Sequence, residues 1–438
     1  MKGIKIAIIG SGSTYTPELI EGLINKKESL PVSELYLMDI DDRKLNIVGG
    51  LSKRMIEAAG LNTKVVLTKD LDEAIVGAKF VCAQIRVGKL AARIKDEKIP
   101  QKYGLLGQET NGIGGMFKGL RTIPVILNIC KRMEELCPDA WLINFSNPSG
   151  MIAQAVLNHT NTKMIGLCNV PINSVDSVKK QLNLPNAFVE YLGLNHLAWI
   201  TAVKYEGKDY LQDAIKQGLN SSNMKNIPTL GFSKELIATV GAIPTSYLNY
   251  YYHKDKMVEK CLNAEKCRGE VCLEIEEQLL EIYSHQEQHT KPELLSKRGG
   301  ARYSEVAINL IDAIHNDLNN IQVVNVLNNG AIPWLKDDDA IEISAVIGKN
   351  GAKPIKTEYR NEHIEELVKT MKAYERHAVK AAMTGNVDEA LKALMINPLV
   401  FDYDKAYDCF FELLEAHREY LPLFKDAKKE EVKWLNIF

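Results

Sequence analysis

Several short motifs sit where apolar runs end, and each carries side chains able to do chemistry. Gly10-Ser11-Gly12 follows the run Ile4–Ile9 and precedes Thr16-Pro17. Glycines there let the backbone turn tightly and approach a pyrophosphate, while a helix opening at Thr16 offers unpaired N–H groups. The third glycine of the usual dinucleotide fingerprint is missing, so the motif alone also reads as a plain strand-to-helix turn. Asp39, near the end of LYLMDID and 27 residues beyond Gly12, strengthens the nucleotide reading. Its carboxylate can accept ribose hydroxyls and disfavours a 2′-phosphate, which points to NAD rather than NADP. The candidate cofactor residues are Gly10, Ser11, Gly12, Ser13, Thr14 and Asp39.

Asn144-Phe145-Ser146-Asn147-Pro148 ends a second apolar run. Asn147 could bond a substrate oxygen or the nicotinamide side, and equally could serve only as an Asn-Pro turn. Cys168-Asn169-Val170-Pro171 ends a third run, and His196 follows 28 residues later. A thiolate and an imidazole can hold a divalent metal when substrate oxygens and water complete the shell. Spacing alone favours a buried thiol and a satisfied core histidine. Tyr247, Tyr250, Tyr251 and Tyr252 fall within six positions. A tyrosine works as a base only if its pKa drops well below ~10, so an aromatic packing layer is the simpler reading. Arg86, Arg93, Arg268 and Arg302 offer guanidinium forks for phosphate or carboxylate, although each alone reads as a structural or surface ion pair.

The elements that must position these residues change character along the chain. Apolar runs at Ile4–Ile9, Glu34–Asp39, Lys64–Thr68, Phe80–Arg86, Trp141–Phe145 and Met164–Leu167 are mostly continuous, as in strands covered on both faces. Helical patterns at Pro17–Asn25, Arg43–Ala59, Leu120–Leu136 and Met151–His159 lie between several of them. This alternation predicts a doubly wound, Rossmann-like parallel sheet over residues 1–171. Residues 172–438 are expected to form an α+β, mostly helical second domain. Within it, 188–210 reads as two strands around a turn at Glu206–Lys208, in a separate antiparallel layer. Helices are expected at Glu270–His285, Ser304–Asn316, Glu358–Met383 and Val387–Ile396.

Composition narrows the function. The 438 residues carry 54 Lys+Arg against 56 Asp+Glu, a net charge of −2. There is no basic field for nucleic acid and no polybasic membrane anchor. The apolar run near the N-terminus is too short for a signal-peptide core or a membrane span, so a soluble, cytoplasmic protein is expected. Eight cysteines with no CxxC pair argue against a disulfide scaffold.

Taken together, the motifs resemble glycoside hydrolase family 4, the NAD- and metal-dependent glycosidases that act largely on 6-phosphorylated sugars. The resemblance rests on IIGSGS, QIRVGKLAARIKDEKIPQKYGLLGQETNGIGG, NFSNPSG, CNVP, GLNHLAW, IPTSYLNYYY, CRGEV and KPELLSKRGGARYSEVAINLI, which together span nearly the whole chain. Such enzymes are an exception to two-carboxylate glycosidase chemistry. The resemblance implies that Cys168 and His196 hold Mn²⁺ or a similar ion and that Tyr247 is the base. It implies that Glu109 orients Tyr247 and raises its basicity, and that Arg93, Asn147, Asn169 and Arg268 bind substrate. Family members acting on α-linked sugars carry Asp directly after the metal-binding Cys; Asn169 stands there, which is similar to the 6-phospho-β-glucosidases. Asn cannot donate a proton as a carboxylic acid does, which leaves the leaving-group acid open.

The implied reaction oxidises sugar C3, eliminates the aglycone across C1–C2, adds water and returns the hydride, with no net NADH. The implied assembly is a homodimer or homotetramer. A rival reading is an NAD-dependent 2-hydroxy-acid dehydrogenase on a lactate/malate-dehydrogenase-like fold. That enzyme needs a His–Asp proton relay, for which no local candidate stands out, and consumes NAD stoichiometrically.

Overall fold

A computed structural model describes residues 3–220, 230–298 and 302–430. The Gly299-Gly300-Ala301 part of the KPELLSKRGGARYSEVAINLI motif lies outside the described residues.

Six strands form the parallel half of the sheet: β1 (Ile4–Ile9), β2 (Val32–Met38), β3 (Lys64–Thr68), β4 (Phe80–Ala83), β5 (Trp141–Asn144) and β6 (Lys163–Gly166). Their spatial order is β3-β2-β1-β4-β5-β6, the doubly wound arrangement whose topological switch lies beside β1. The inner strands are buried on both faces, with Phe80–Ala83 shielded throughout, which is why their sequences are continuously apolar. Helices Thr16–Asn25, Asp42–Ala58, Gly112–Leu136 and Ser149–His159 flank them. The third starts eight residues before the expected Leu120. Its glycine-rich first turns weaken the helical signal, yet they are buried against neighbouring backbone.

The antiparallel strands are not a separate layer, contrary to expectation. β7 (Phe188–Leu194), β8 (Leu197–Tyr205), β9 (Lys208–Asp209), β10 (Ile243–Pro244), β11 (Asn320–Leu327), β12 (Ala340–Gly348) and β13 (Gly351–Pro354) all join the same sheet. Beyond β6 the order runs β11-β12-β7-β8-β10. The turn between the two long strands falls at Asn195-His196, where His196 adopts a left-handed φ of 66°. A tighter reversal at Glu206-Gly207 adds only the short β9. The region after residue 232 is therefore less purely helical than expected, because β11 and β12 lie at the middle of the sheet. Helices Arg268–Ser284, Tyr303–Asn316, Glu362–Thr384 and Val387–Ile396 fall close to their expected positions. Lys89–Gln101 and Tyr403–Ala416 are additional.

Among the described residues, Gly112–Leu136 is the one helix long and apolar enough to cross a membrane; 78% of its apolar window is buried inside the protein. It is a core helix packed between Ser149–His159 and Glu362–Thr384. All eight cysteines are free.

Candidate active site

The carboxyl ends of β1, β2, β4, β5 and β6 open into one cavity of about 690 Å³, within the range of small-molecule and cofactor sites. The glycine loop forms one end. Gly10 has φ +85°, and a Cβ there would sit 2.9 Å from the Gln84 carbonyl. The Gly12 N–H donates to Asp39 Oδ2 at 2.8 Å, and a Cβ on Gly12 would meet the same oxygen at 2.8 Å. Glycine at 12 therefore lets the loop close onto the acid at the end of β2. Asp39 Oδ1 accepts the Asp41 N–H at 2.9 Å, which fixes the carboxylate from its other side. Gly10, Gly12, Ser13 and Asp39 line the cavity. Ser11 Oγ and Thr14 Oγ1 are buried without a partner. Unpartnered hydroxyls at a helix-opening glycine loop fit a dinucleotide's phosphates.

At the other end, Cys168 lies just past β6 and His196 on the β7–β8 turn. Their Sγ and Nε2 are 3.6 Å apart, and both side chains are buried. Burial drives the His196 pKa down to about 3, so its imidazole is neutral with a lone pair available to a cation. Burial, then the nearby Glu342 charge, pushes the Cys168 thiol up, a bias that a coordinated cation reverses. No group of three or more His, Cys, Asp and Glu suited to a metal exists among the described residues. A soft sulfur and an imidazole with open positions for substrate and water suit a catalytic divalent ion.

β10 pairs with β8 and delivers the 3₁₀ turn Ser246–Leu248 against the His196 turn. There the Tyr247 ring stacks on the His196 imidazole, centroids 3.6 Å apart and 6° from parallel. Of the four clustered tyrosines only Tyr247 lines the large cavity. Tyr250 is buried behind it, Tyr251 lines a smaller void, and Tyr252 bonds Trp199 Nε1 and packs against Phe232 and His363. Burial and the Cys168 sulfur push the Tyr247 phenol up, while a hydrogen bond with Thr110 opposes them.

Glu109 shows an arrangement that its sequence neighbours do not reveal. Arg86 pairs with it closely, Arg93 Nη1 lies 2.8 Å from Oε1, and Lys118 Nζ lies 2.7 Å from Oε2. These three cations outweigh its burial and hold its carboxyl well below the usual range. Glu109 thus spends its oxygens on cations rather than on Tyr247, and its charge still raises the Tyr247 pKa. Arg93 is buried and also bonds Glu97 Oε1 at 2.8 Å.

Asn147 and Asn169 line the cavity, Asn147 with a buried, unpartnered Oδ1. Arg268 does not. It donates to the carbonyls of Lys297 and Arg298 at 3.1 and 2.6 Å, and Arg298, like Arg86 and Arg93, lines the cavity. Arg302 pairs with Asp176 and Glu305, each at 2.7 Å, outside the cavity. Lys118, Arg298, Thr110 and Tyr303 are cavity residues that spacing did not suggest. Lys118 had a visible signal: it is the lone charge in the glycine-rich, apolar stretch Gly112–Leu120.

The sheet order and the loop at β1 define a doubly wound, Rossmann-like α/β fold; malate dehydrogenase from Plasmodium falciparum, 15% identical, shares that fold with a TM-score of 0.53. The chain belongs to glycoside hydrolase family 4: the model of the family 4 glycosyl hydrolases matches residues 5–184, and that of their C-terminal domain matches 191–400. It is 47% identical over 434 residues to the probable 6-phospho-beta-glucosidase of Bacillus subtilis (strain 168), covering 97% of this chain and 98% of that protein. It is 42% identical over 441 residues to the 6-phospho-beta-glucosidase of Escherichia coli (strain K12), covering 98% of each. The 6-phospho-beta glucosidase structure from Thermotoga maritima with manganese, NAD+ and glucose-6-phosphate superposes with a TM-score of 0.87 at 35% identity. That match covers 95% of this chain and 99% of the other.

Proposed function

We propose that the protein hydrolyses 6-phospho-β-glucosides, such as 6-phosphocellobiose, to glucose 6-phosphate and an aglycone, using NAD and a divalent metal, Mn²⁺ or a similar ion. The observation that carries this reading is one cavity lined by the Gly10–Asp39 loop, by His196, whose Nε2 lies 3.6 Å from the buried Cys168 sulfur, and by Tyr247 stacked on the His196 ring. The named relatives and the metal, nucleotide and sugar phosphate of the Thermotoga structure support it.

Gly10 to Thr14 and Asp39 would hold the dinucleotide, and Cys168 Sγ with His196 Nε2 the metal. When bound, the nicotinamide supplies a reversible hydride acceptor for sugar C3 and the metal a Lewis acid for the adjacent oxygens. Tyr247 Oη takes the proton from C2, which the C3 carbonyl has made acidic, and the aglycone leaves C1. A phenol pushed up by burial is a poor base until nearby positive charge lowers it. Arg93 provides part of that charge. Arg93 and Asn147 bind the phosphorylated sugar, and Arg268 acts through the Lys297-Arg298 backbone that it holds. Asn169, following the metal ligand, suits a β-linked leaving group.

We read residues 1–171 as the cofactor unit and 172–438 as the substrate, metal and oligomerisation unit. NAD and sugar phosphates do not cross membranes unaided, and the cysteines are all free, so we assign the protein to the cytoplasm, as a homodimer or homotetramer. The test is turnover of 6-phosphocellobiose against maltose 6′-phosphate, with and without NAD⁺ and Mn²⁺. The β-linked substrate should be cleaved only with both cofactors. Cleavage of the α-linked sugar alone, or without NAD⁺, would refute the reading.

A further inference from the structure

The two metal-ligand candidates leave the sheet from strands that are not neighbours. Cys168 follows β6 and His196 follows β7, and β11 and β12 lie between them. One row of the sheet crosses all four strands in register: Gly166 faces Asn325, Asn325 faces Glu342, and Glu342 faces Gly193. The two polar residues of this row therefore fill the span beneath the ligand pair.

Glu342 is fully buried. Its Oε1 accepts from Asn195 Nδ2 at 2.9 Å and from Asn325 Nδ2 at 3.0 Å. Its Oε2 accepts from the Tyr191 hydroxyl at 3.1 Å. Asn325 Nδ2 also reaches the Gly166 carbonyl at 3.4 Å. Asn195 precedes His196 in the turn, and its amide lies on the Cys168 side, where it favours the thiolate. One buried carboxylate thus grips the amide that neighbours both ligands, one along the chain and one through space. A left-handed, non-glycine turn such as that at His196 persists only when its surroundings over-determine it. Burial pushes the Glu342 carboxyl up against the three donors that favour its charge, and a cation held alongside would offset that cost.

We propose that Glu342 is a positioning residue of the metal centre. Through Asn195 it holds the His196 turn and the Cys168 thiol in place, and it supplies a buried negative charge behind a divalent cation bound there. The inference rests on the reading that Cys168 and His196 hold that cation.

The experiment is a Mn²⁺ titration of the NAD⁺-saturated protein, with free Mn²⁺ read by electron paramagnetic resonance. Glu342→Gln keeps the volume and an oxygen for the two amides but removes the charge. It should weaken Mn²⁺ binding about 10- to 100-fold, the usual cost of losing an outer-sphere partner, while NAD⁺ affinity is unchanged. Tyr191→Phe removes one hydrogen bond and keeps the ring. It should weaken Mn²⁺ binding about three- to tenfold. Wild-type Mn²⁺ affinity in Glu342→Gln overturns the proposal. If that variant does not fold, wild-type affinity in Tyr191→Phe overturns it instead. Cys168→Ser in the same titration separates the two levels. If it binds Mn²⁺ like wild type, the metal reading itself falls. If it loses Mn²⁺ while Glu342→Gln retains it, only the role of Glu342 falls.

Discussion

The His196 imidazole and the Tyr247 phenol lie face to face, 3.6 Å between centroids, so the proposed metal ligand and the proposed base are in direct contact. Tyr247→Phe preserves that stack and removes only the oxygen that accepts the C2 proton. Loss of a general base costs roughly 10²–10⁴-fold, and kcat should fall by that factor while NAD⁺ and Mn²⁺ affinities stay at wild-type values. A fall of less than about threefold would return Tyr247 to a packing role.

Cys168→Ser and His196→Ala should each abolish turnover and Mn²⁺ binding. The folded protein should still bind NAD⁺, because the Gly10–Asp39 loop lies at the other end of the cavity. Equilibrium dialysis with both cofactors checks this directly. Near wild-type turnover by either variant after chelator treatment would contradict the assignment.

Arg93 is both a cavity residue and half of a buried ion-pair chain, between Glu97 and Glu109. Arg93→Ala leaves the buried Glu97 to the Gly269 N–H and takes one of three cations from Glu109, and breaking a buried pair costs up to about 3–5 kcal/mol. We expect a lower unfolding midpoint together with at least about a tenfold loss of kcat/KM on phosphorylated substrate. Arg268→Ala should give a kinetic loss with little change in stability, since its bonds to the Lys297 and Arg298 carbonyls lie near the surface. Chemical denaturation beside steady-state kinetics separates the two effects.

The sequence carried the parallel half of the sheet because fully buried strands are continuously apolar, and it carried the glycine turn after β1 and its acid partner because Gly10 and Asp39 each end such a strand. Cys168, His196 and Tyr247 could be named only through the resemblance, since nothing local links residues 28 and 51 positions apart. β11 was missed because NIQVVNVL interleaves amides with its apolar residues, and one of them, Asn325, is buried against the Glu342 carboxylate rather than facing water. The hairpin turn was misplaced because Asn195-His196 has no glycine, so the left-handed backbone went unsignalled. The cations around Glu109 come from three separate elements, a clustering that only tertiary structure reveals.

Lys118 provides a test in pH. Burial, followed by the neighbouring Arg86 charge, lowers its pKa to about 7 from 10.5. Between those values the unfolded chain holds a proton that the folded chain has released, so this residue's contribution to stability rises with pH from about 7 to about 10.5. Below pH 7 both states are charged and the burial penalty is constant. Lys118→Met lacks this dependence. Its stability relative to wild type should be most favourable at pH 6 and should decline towards pH 10. A pH-independent difference in denaturation midpoints would show that Lys118 is not perturbed.

The central claim is that NAD serves as a returning catalyst in glycoside cleavage. Its most direct measurement follows absorbance at 340 nm and glucose 6-phosphate release together, with 6-phosphocellobiose in D₂O. The account predicts many equivalents of glucose 6-phosphate per enzyme, deuterium incorporated at C2, and no accumulating NADH. NADH formed in step with product, or product carrying no deuterium at C2, would contradict it.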